Sequence, residues 1–298
     1  MEPLPARANG NQNKVSQKRG IEYAYRRFRN TLSRTKLRVP LMWFYHRNFQ
    51  PSDVFLACYP RSGSTWARFV LFEALTGQES TFDAVNRDLN GIKQHKLGRP
   101  ILPQGGRLIG THEPFRKEYR RAIYMVRDAR DVVLSEHAFL KALDYYSGDL
   151  DSFAKSFVRG NVNGFGSWQD HVTSFLDSPL ASTSDLLVVQ YKELRRNPEI
   201  GYSRIVDFLG VKVDRERIRR AIANNSLDKM GPKVDGSARM PWRKDRVVRS
   251  GSVEGWRSKL SPSQLELIER HCGDVMLRLG YVLAKNSVED SALQSASR

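Results

Sequence analysis

An apolar run that ends in a glycine- and serine-rich turn and opens directly into helical spacing leaves a chain few folds to choose from. Here Asp53-Val-Phe-Leu-Ala-Cys-Tyr59 is followed at once by Pro60-Arg-Ser-Gly-Ser-Thr65, after which Trp66, Phe69, Val70, Phe72 and Leu75 recur at helical period. The reading is strand, tight loop, helix. The alternation repeats: Arg107 to Thr111, Ala122 to Val126 and Asp185 to Tyr191 read as strands, and Ala129 to Ala142, Asn197 to Leu209 and Pro262 to Leu279 as helices. Strands separated by helices predict an α/β fold, a parallel β-sheet flanked by helices on both faces.

In such sheets ligands sit at the carboxyl ends of the strands, where the Pro60 to Thr65 loop is expected to lie. A strand running into a turn that opens a helix aims several backbone N–H groups and the positive end of the helix at one spot, which suits phosphate. Arg61 adds a cation able to grip two oxygens, and Ser62, Ser64 and Thr65 add hydroxyl donors. The loop is P-loop-like without being the NTPase pattern, since it has one glycine, no Lys-Ser/Thr pair and no acidic residue obviously placed for magnesium.

The 298 residues suffice for a full core without disulfides or metals. Cys58 and Cys272 are far apart with no zinc-like spacing, which points to a reducing, cytoplasmic setting. No apolar run reaches the ~18 residues of a membrane span, and Met1 to Lys18 lacks the apolar centre of a signal peptide. The net charge is +17, and residues 1–50 hold eleven Lys/Arg against two Glu, so about half of the excess is an N-terminal extension. That extension is expected to be a partly disordered arm, or a basic amphipathic helix making peripheral membrane contact through Tyr23 to Phe49. The expected organisation is 1–50 extension, 51–284 catalytic domain and 285–298 disordered tail.

From Val54 to about Leu279 the chain resembles the PAPS-dependent sulfotransferases, in particular the soluble, cytosolic type. Tyr59-Pro-Arg-Ser-Gly-Ser-Thr-Trp66 resembles their 5′-phosphosulfate loop. Tyr124-Met-Val-Arg-Asp-Ala-Arg-Asp-Val-Val-Leu-Ser135 resembles their 3′-phosphate segment, with Arg127 and Ser135 at the family's spacing. Gly166-Ser-Trp-Gln-Asp-His-Val172, the passage from Val188 through Tyr191 to Gly210, and Arg249-Ser-Gly251 with the later Trp256 follow in the family's order.

The resemblance implies 3′-phosphoadenosine 5′-phosphosulfate (PAPS) as sulfuryl donor, PAP as product, and no metal. Its 5′ end would rest on Arg61 and the Ser62, Gly63, Ser64 and Thr65 backbone, and its 3′-phosphate on Arg127, Ser135, Arg249, Ser250 and Gly251. Adenine would meet Trp66, Tyr191, Ser226 and Leu227. His112, in Thr111-His-Glu-Pro114, resembles the catalytic histidine, and would take the proton of a hydroxyl (or amine) acceptor while Arg61 offsets charge on the departing phosphate.

The chain also departs from the family pattern. Arg61 stands where lysine is usual, and a planar guanidinium cannot take over lysine's proton-donor role. Gly110 replaces another lysine, Leu227 a phenylalanine, and no dimerisation motif is recognisable around Lys259 to Glu269, which leaves the oligomeric state open. The acceptor, a small molecule or a glycan, is expected between Gln78 to Leu102 and Ala142 to Asn163, where Asn86, Arg87, Asp88, Asn90, Lys93 and His95 suggest a polar lining. Two alternatives stay open on the residues alone. One is a basic nucleic-acid-binding protein, which the family reading excludes as partner; the other is a magnesium-dependent nucleotide kinase on the same sheet.

Overall fold

The computed structural model describes residues 38–235 and 251–284. Arg249, Ser250, most of the basic extension and the tail from residue 285 lie outside the described residues. The chain enters with α1 (Arg38–Tyr45) and β1 (Val54–Cys58), then α2 (Ser64–Thr76), α3 (Phe82–Asp88), β2 (Leu108–Thr111) and β3 (Ala122–Val126). It continues with α4 (Ala129–Ala142), α5 (Leu150–Val158), α6 (Trp168–Leu176), β4 (Leu186–Gln190), α7 (Tyr191–Arg196) and α8 (Pro198–Phe208). The last helices are α9 (Arg215–Asn224), α10 (Leu227–Asp235) and α11 (Pro262–Arg278).

All strand pairs are parallel, in the order β2-β1-β3-β4. From β1 the chain first adds β2 on one side and then crosses to add β3 on the other, so the order reverses at β1/β3, the position where such sheets bind ligands. The central strands β1 and β3 are buried on both faces, and the edge strand β4 only in part. Phe55, Ala57 and Tyr59 of the β1 run pack into one core with α4, α5, α6 and α11, while Val54, Leu56 and Cys58 pack into the other with α2, α8 and α9. This period-two split explains why β1 reads as an unbroken apolar run.

Helix starts follow local chemistry. Asp128 caps α4 by accepting from the Arg130 N–H, Ser167 caps α6, and Ser261 and Gln264 form a reciprocal capping box on α11. The expected Ala129 to Ala142 helix and Ala122 to Val126 strand coincide with the observed elements. Tyr191, read as the last residue of a strand, instead opens α7, because the chain turns into helix directly after Gln190.

Two buried ion pairs fix distant segments. Asp53, ahead of β1, accepts from the backbone N–H and guanidinium of Arg107, ahead of β2, with Nε at 3.0 Å from Oδ1. At the start of α4, Arg130 is gripped by Asp128 and by Glu269 of α11 (2.7 Å) and stacks on Trp256 at 3.8 Å. The neighbouring Asp131 accepts from the N–H groups of Glu254 (2.9 Å) and Trp256 (3.1 Å).

Candidate active site

The parallel register sets the carboxyl ends of the strands side by side, and each end delivers a residue singled out by the sequence. In sheet order these are His112 after β2, the 60–65 loop after β1, Arg127 after β3 and Tyr191 after β4.

The loop turns on left-handed backbone at Arg61 (φ 69°) and Gly63 (φ 98°). Gly63 is required twice over: its φ disfavours a side chain, and a Cβ there would stand 2.6 Å from the Tyr191 ring. No side chain caps α2, and its first bond runs from the Ala67 N–H to the Gly63 carbonyl. The Ser64, Thr65 and Trp66 amides are thereby left as the orphan donors of the first turn. The Ser62 hydroxyl is buried and has no hydrogen-bond partner.

Arg127 braces the loop from β3. One Nη donates to the Arg61 carbonyl (3.1 Å) and the other to the Ser252 carbonyl (2.9 Å), the guanidinium lies 4.8 Å from the Tyr191 ring, and its buried Nε is unpartnered. Tyr191 donates its hydroxyl to the Gly251 carbonyl at 3.1 Å. Gly251 is pressed in turn against Leu227, since a Cβ on it would meet Leu227 Cδ1 at 2.5 Å. Ser226 precedes α10 directly, its carbonyl accepting from the Met230 N–H. Trp66 is buried, donates Nε1–H to the Asn225 carbonyl (2.8 Å) and meets Tyr191 edge-on with ring centres 6.3 Å apart.

Ser135 is held by Arg61, whose carbonyl Arg127 also contacts. It accepts from Nε of Arg61 at 3.2 Å, and the Arg61 guanidinium lies 4.4 Å from the Phe139 ring, so Arg61 rests along α4. The structure therefore brings Ser135 to Arg61, and Arg127 to Tyr191 and residues 251–252.

His112 is fixed by β1. Its Nδ1 lies 3.0 Å from the Cys58 carbonyl, which can only accept, so Nδ1 carries a hydrogen and Nε2 is the nitrogen that holds the lone pair once the ring is neutral. Behind it, Tyr124 donates to Nδ1 of His171, whose Nε2 donates to the His112 carbonyl (3.0 Å). Burial opposes the charged imidazole, but Cys58 and the carboxylate of Glu136 favour it, and His112 is raised to about 9.

Glu136 is a site residue that the sequence reading passed over. It is buried, Asn163 donates to its Oε1 at 3.3 Å, and its Oε2 is unpartnered. Burial pushes its carboxyl up, while Arg61, Asn163 and His112 act the other way. The available signal was period: Val132, Val133, Glu136 and Leu140 share one helical stripe, where a carboxylate is out of place. Asn163 also accepts from the Phe165 N–H (2.9 Å), and Phe165 packs edge-on to His112.

Gly110 lies beside Arg68, with a Cβ there 3.8 Å from Arg68 Cδ, so a second cation already stands next to the position that lacks the family's lysine. Arg68 is committed to the carbonyls of Val85 and Leu89 and to Asn86. The expected polar lining is largely spent in the same way: Asp88 pairs with Arg87 and Arg99, and Asn90 donates to the Arg87 carbonyl. Among the described residues no cluster of His, Cys, Asp and Glu is arranged to hold a metal, and no helix is long and apolar enough to cross a membrane.

Comparison with known proteins agrees with this geometry. The sulfotransferase domain matches residues 51–280. Mouse sulfotransferase 1B1 is 27% identical over 255 residues, covering 76% of this chain and 84% of its own. Bovine sulfotransferase 1A1 is 27% identical over 247 residues, covering 74% and 82%. Among solved structures, mouse sulfotransferase SULT7A1 complexed with PAP superposes with a TM-score of 0.58 at 22% identity, over 75% of this chain and 86% of that one. With the domain match spanning most of its length and the family's motifs at the strand ends, this chain belongs to the PAPS-dependent sulfotransferase family.

Proposed function

We propose that this sulfotransferase transfers the sulfuryl group of PAPS to a hydroxyl of a small-molecule acceptor, with His112 as the base. The observation that carries the reading is the order along the sheet edge: a histidine whose Nδ1 is held by the Cys58 carbonyl, then a loop of orphan amides, then the Arg127 and Tyr191 pair.

The residues present fit the donor. The partnerless Ser62 hydroxyl and Arg127 Nε are buried polar atoms of the kind that phosphate oxygens satisfy. Gly63 and Gly251 let their backbones close on Tyr191 and Leu227, two of the residues assigned to the adenine. The donor supplies an activated sulfur with PAP as leaving group. Arg61 and the 62–65 amides would hold its 5′ end. Arg127 and Gly251, with Ser135 and the Arg249-Ser250 pair that lies outside the described residues, would hold the 3′-phosphate, and Trp66, Tyr191, Ser226 and Leu227 the adenine.

Catalysis then asks the protein for placement and charge balance. The Cys58 carbonyl holds Nδ1–H, so Nε2 of His112 takes the acceptor's proton. Arg61 and the first-turn dipole of α2 offset the negative charge that grows at the 5′ end. Glu136 stands close enough to favour the imidazolium that results.

Calorimetry with PAP, with ATP plus magnesium, and with a short RNA tests the reading. PAP is expected to bind without magnesium, and the other two not measurably. Magnesium-dependent ATP binding tighter than PAP would turn the assignment toward a kinase.

A further inference from the structure

Two stretches of this basic chain lack acidic residues altogether. Neither residues 23–52 nor residues 89–112 contain a single Asp or Glu, although together they hold eleven Lys or Arg. The fold joins their described parts: the buried His95 ring lies between the carbonyls of Ile92 (2.8 Å) and Arg47 (3.0 Å), and Phe49 packs on the same ring at 4.6 Å.

The outer side of this joint is apolar and cationic at once. α1 turns Met42 inward, and His46 behind it is also buried, while Trp43 and Phe44 stay 56% and 54% exposed; Leu97, from the second stretch, is 73% exposed. These are half of the six large apolar side chains that stand exposed among the described residues, gathered in one place. Cations rim them: Arg47 lies 3.4 Å from the Trp43 ring, Lys96 5.6 Å from Phe44 and Lys93 5.7 Å from Tyr45.

A nucleic acid would use the cations and could stack on the rings, but it gains little from an exposed leucine. The interface of a bilayer uses all three features: tryptophan at the headgroups, phenylalanine and leucine at the acyl boundary, and lysine and arginine against anionic lipid. We propose that this face docks on the surface of an anionic phospholipid bilayer, with Trp43, Phe44 and Leu97 entering the headgroup boundary. The basic sequence before α1 adds charge of the same sign. The docked face borders the reaction site, because Gly110 exchanges hydrogen bonds with Asn90 and Ile92 and stands two residues before His112. The inference does not depend on the acceptor or on the sulfuryl-transfer reading.

The test is sedimentation of the full chain with vesicles of phosphatidylcholine alone and of phosphatidylcholine with phosphatidylserine, at low and high salt. Binding is expected to the anionic vesicles only and to fall with salt. Lys93→Ala with Lys96→Ala should weaken it about tenfold or more, and Trp43→Ser with Phe44→Ser and Leu97→Ser should abolish it, with PAP affinity unchanged in both as the check on fold. Brominated lipid should quench wild-type tryptophan fluorescence and fail to quench a Trp43→Phe variant. Absence of anionic-vesicle binding by the full chain overturns the proposal. So does binding that both variants retain, or a short RNA that binds through the same residues while vesicles do not.

Discussion

Gly63→Ala adds one methyl group, and its destination is known. The new Cβ would stand 2.6 and 2.7 Å from two carbons of the Tyr191 ring, so the ring or the loop has to give by nearly an ångström. The ring is poorly placed to give, because Gly251 holds its hydroxyl, Arg127 covers its face and Trp66 meets its edge. Overpacking of this kind costs about 1–3 kcal/mol. Left-handed backbone without glycine adds about 1–2 kcal/mol, giving a total of roughly 2–5 kcal/mol. The loss has two places to appear. If the loop keeps its shape, the fold carries the strain and the urea midpoint drops. If the loop lifts off Tyr191, the amides no longer converge, and even 2 kcal/mol weakens PAP by about 30-fold. Urea denaturation and PAP calorimetry on the same preparation therefore give a sum that should reach about 2 kcal/mol. Adding Tyr191→Ala should remove the steric part of the stability loss and leave the backbone part, a non-additivity that only direct contact produces. A Gly63→Ala protein with both readouts within about 0.5 kcal/mol of wild type would refute the argument, since surface substitutions have effects no larger.

His112→Ala should cut sulfuryl transfer by roughly 10²–10⁴-fold while PAP affinity stays near wild type, measured by initial rates and calorimetry. Because the base must be neutral and its imidazole is raised to about 9, the wild-type rate should climb through the alkaline range toward that value. Stability runs the opposite way. A folded pKa above the ordinary 6.5 gives a contribution that is complete below 6.5 and is lost as pH rises through about 9, and urea titrations of His112→Gln should lack that slope. Arg127→Ala should weaken PAP by about 1.5–3 kcal/mol and adenosine 5′-phosphosulfate much less, because only PAP carries the 3′-phosphate. Asp53→Asn leaves the Arg107 guanidinium without its buried carboxylate and should lower unfolding free energy by about 3–5 kcal/mol in urea.

How legible the molecule was depends on whether the signal was local. β1, its loop and α2 could be read because strand period, turn residues and helix period switch within a dozen residues, and the start of the Ala129 to Ala142 helix is marked by the capping Asp128. α5 and α6 were not assigned as helices, although Asp149 and Ser167 cap them, because each is a single short amphipathic piece whose stability comes from packing on α11 rather than from its own sequence. Within the site, Arg61 and His112 stand out as residue types, but their partners do not. Cys58 and Glu136 act on His112 across the sheet, from β1 and α4, and nothing in the neighbouring sequence announces that. The polar residues between Gln78 and Leu102 stand out as residue types too, but the sequence does not show that Asp88 pairs with Arg87 and Arg99, or that Asn86 binds Arg68.

The bolts at the start of α4 also impose a schedule on the nascent chain. Asp131 finds its partner at Glu254, 123 residues later, and Arg130 finds Glu269, 139 residues later. As the polypeptide leaves the ribosome, all four strands are out well before either partner. A sheet can thus assemble while the segment that carries Arg127 still lacks the residues that lock it, and closing so long a loop is a late, slow event. Up to that moment Arg130 has only Asp128, Asp131 lacks the N–H groups of residues 254 and 256, and the helix start is exposed to chaperones and proteases. A nucleotide that binds only the finished arrangement stabilises it by mass action, and so draws this last step to completion.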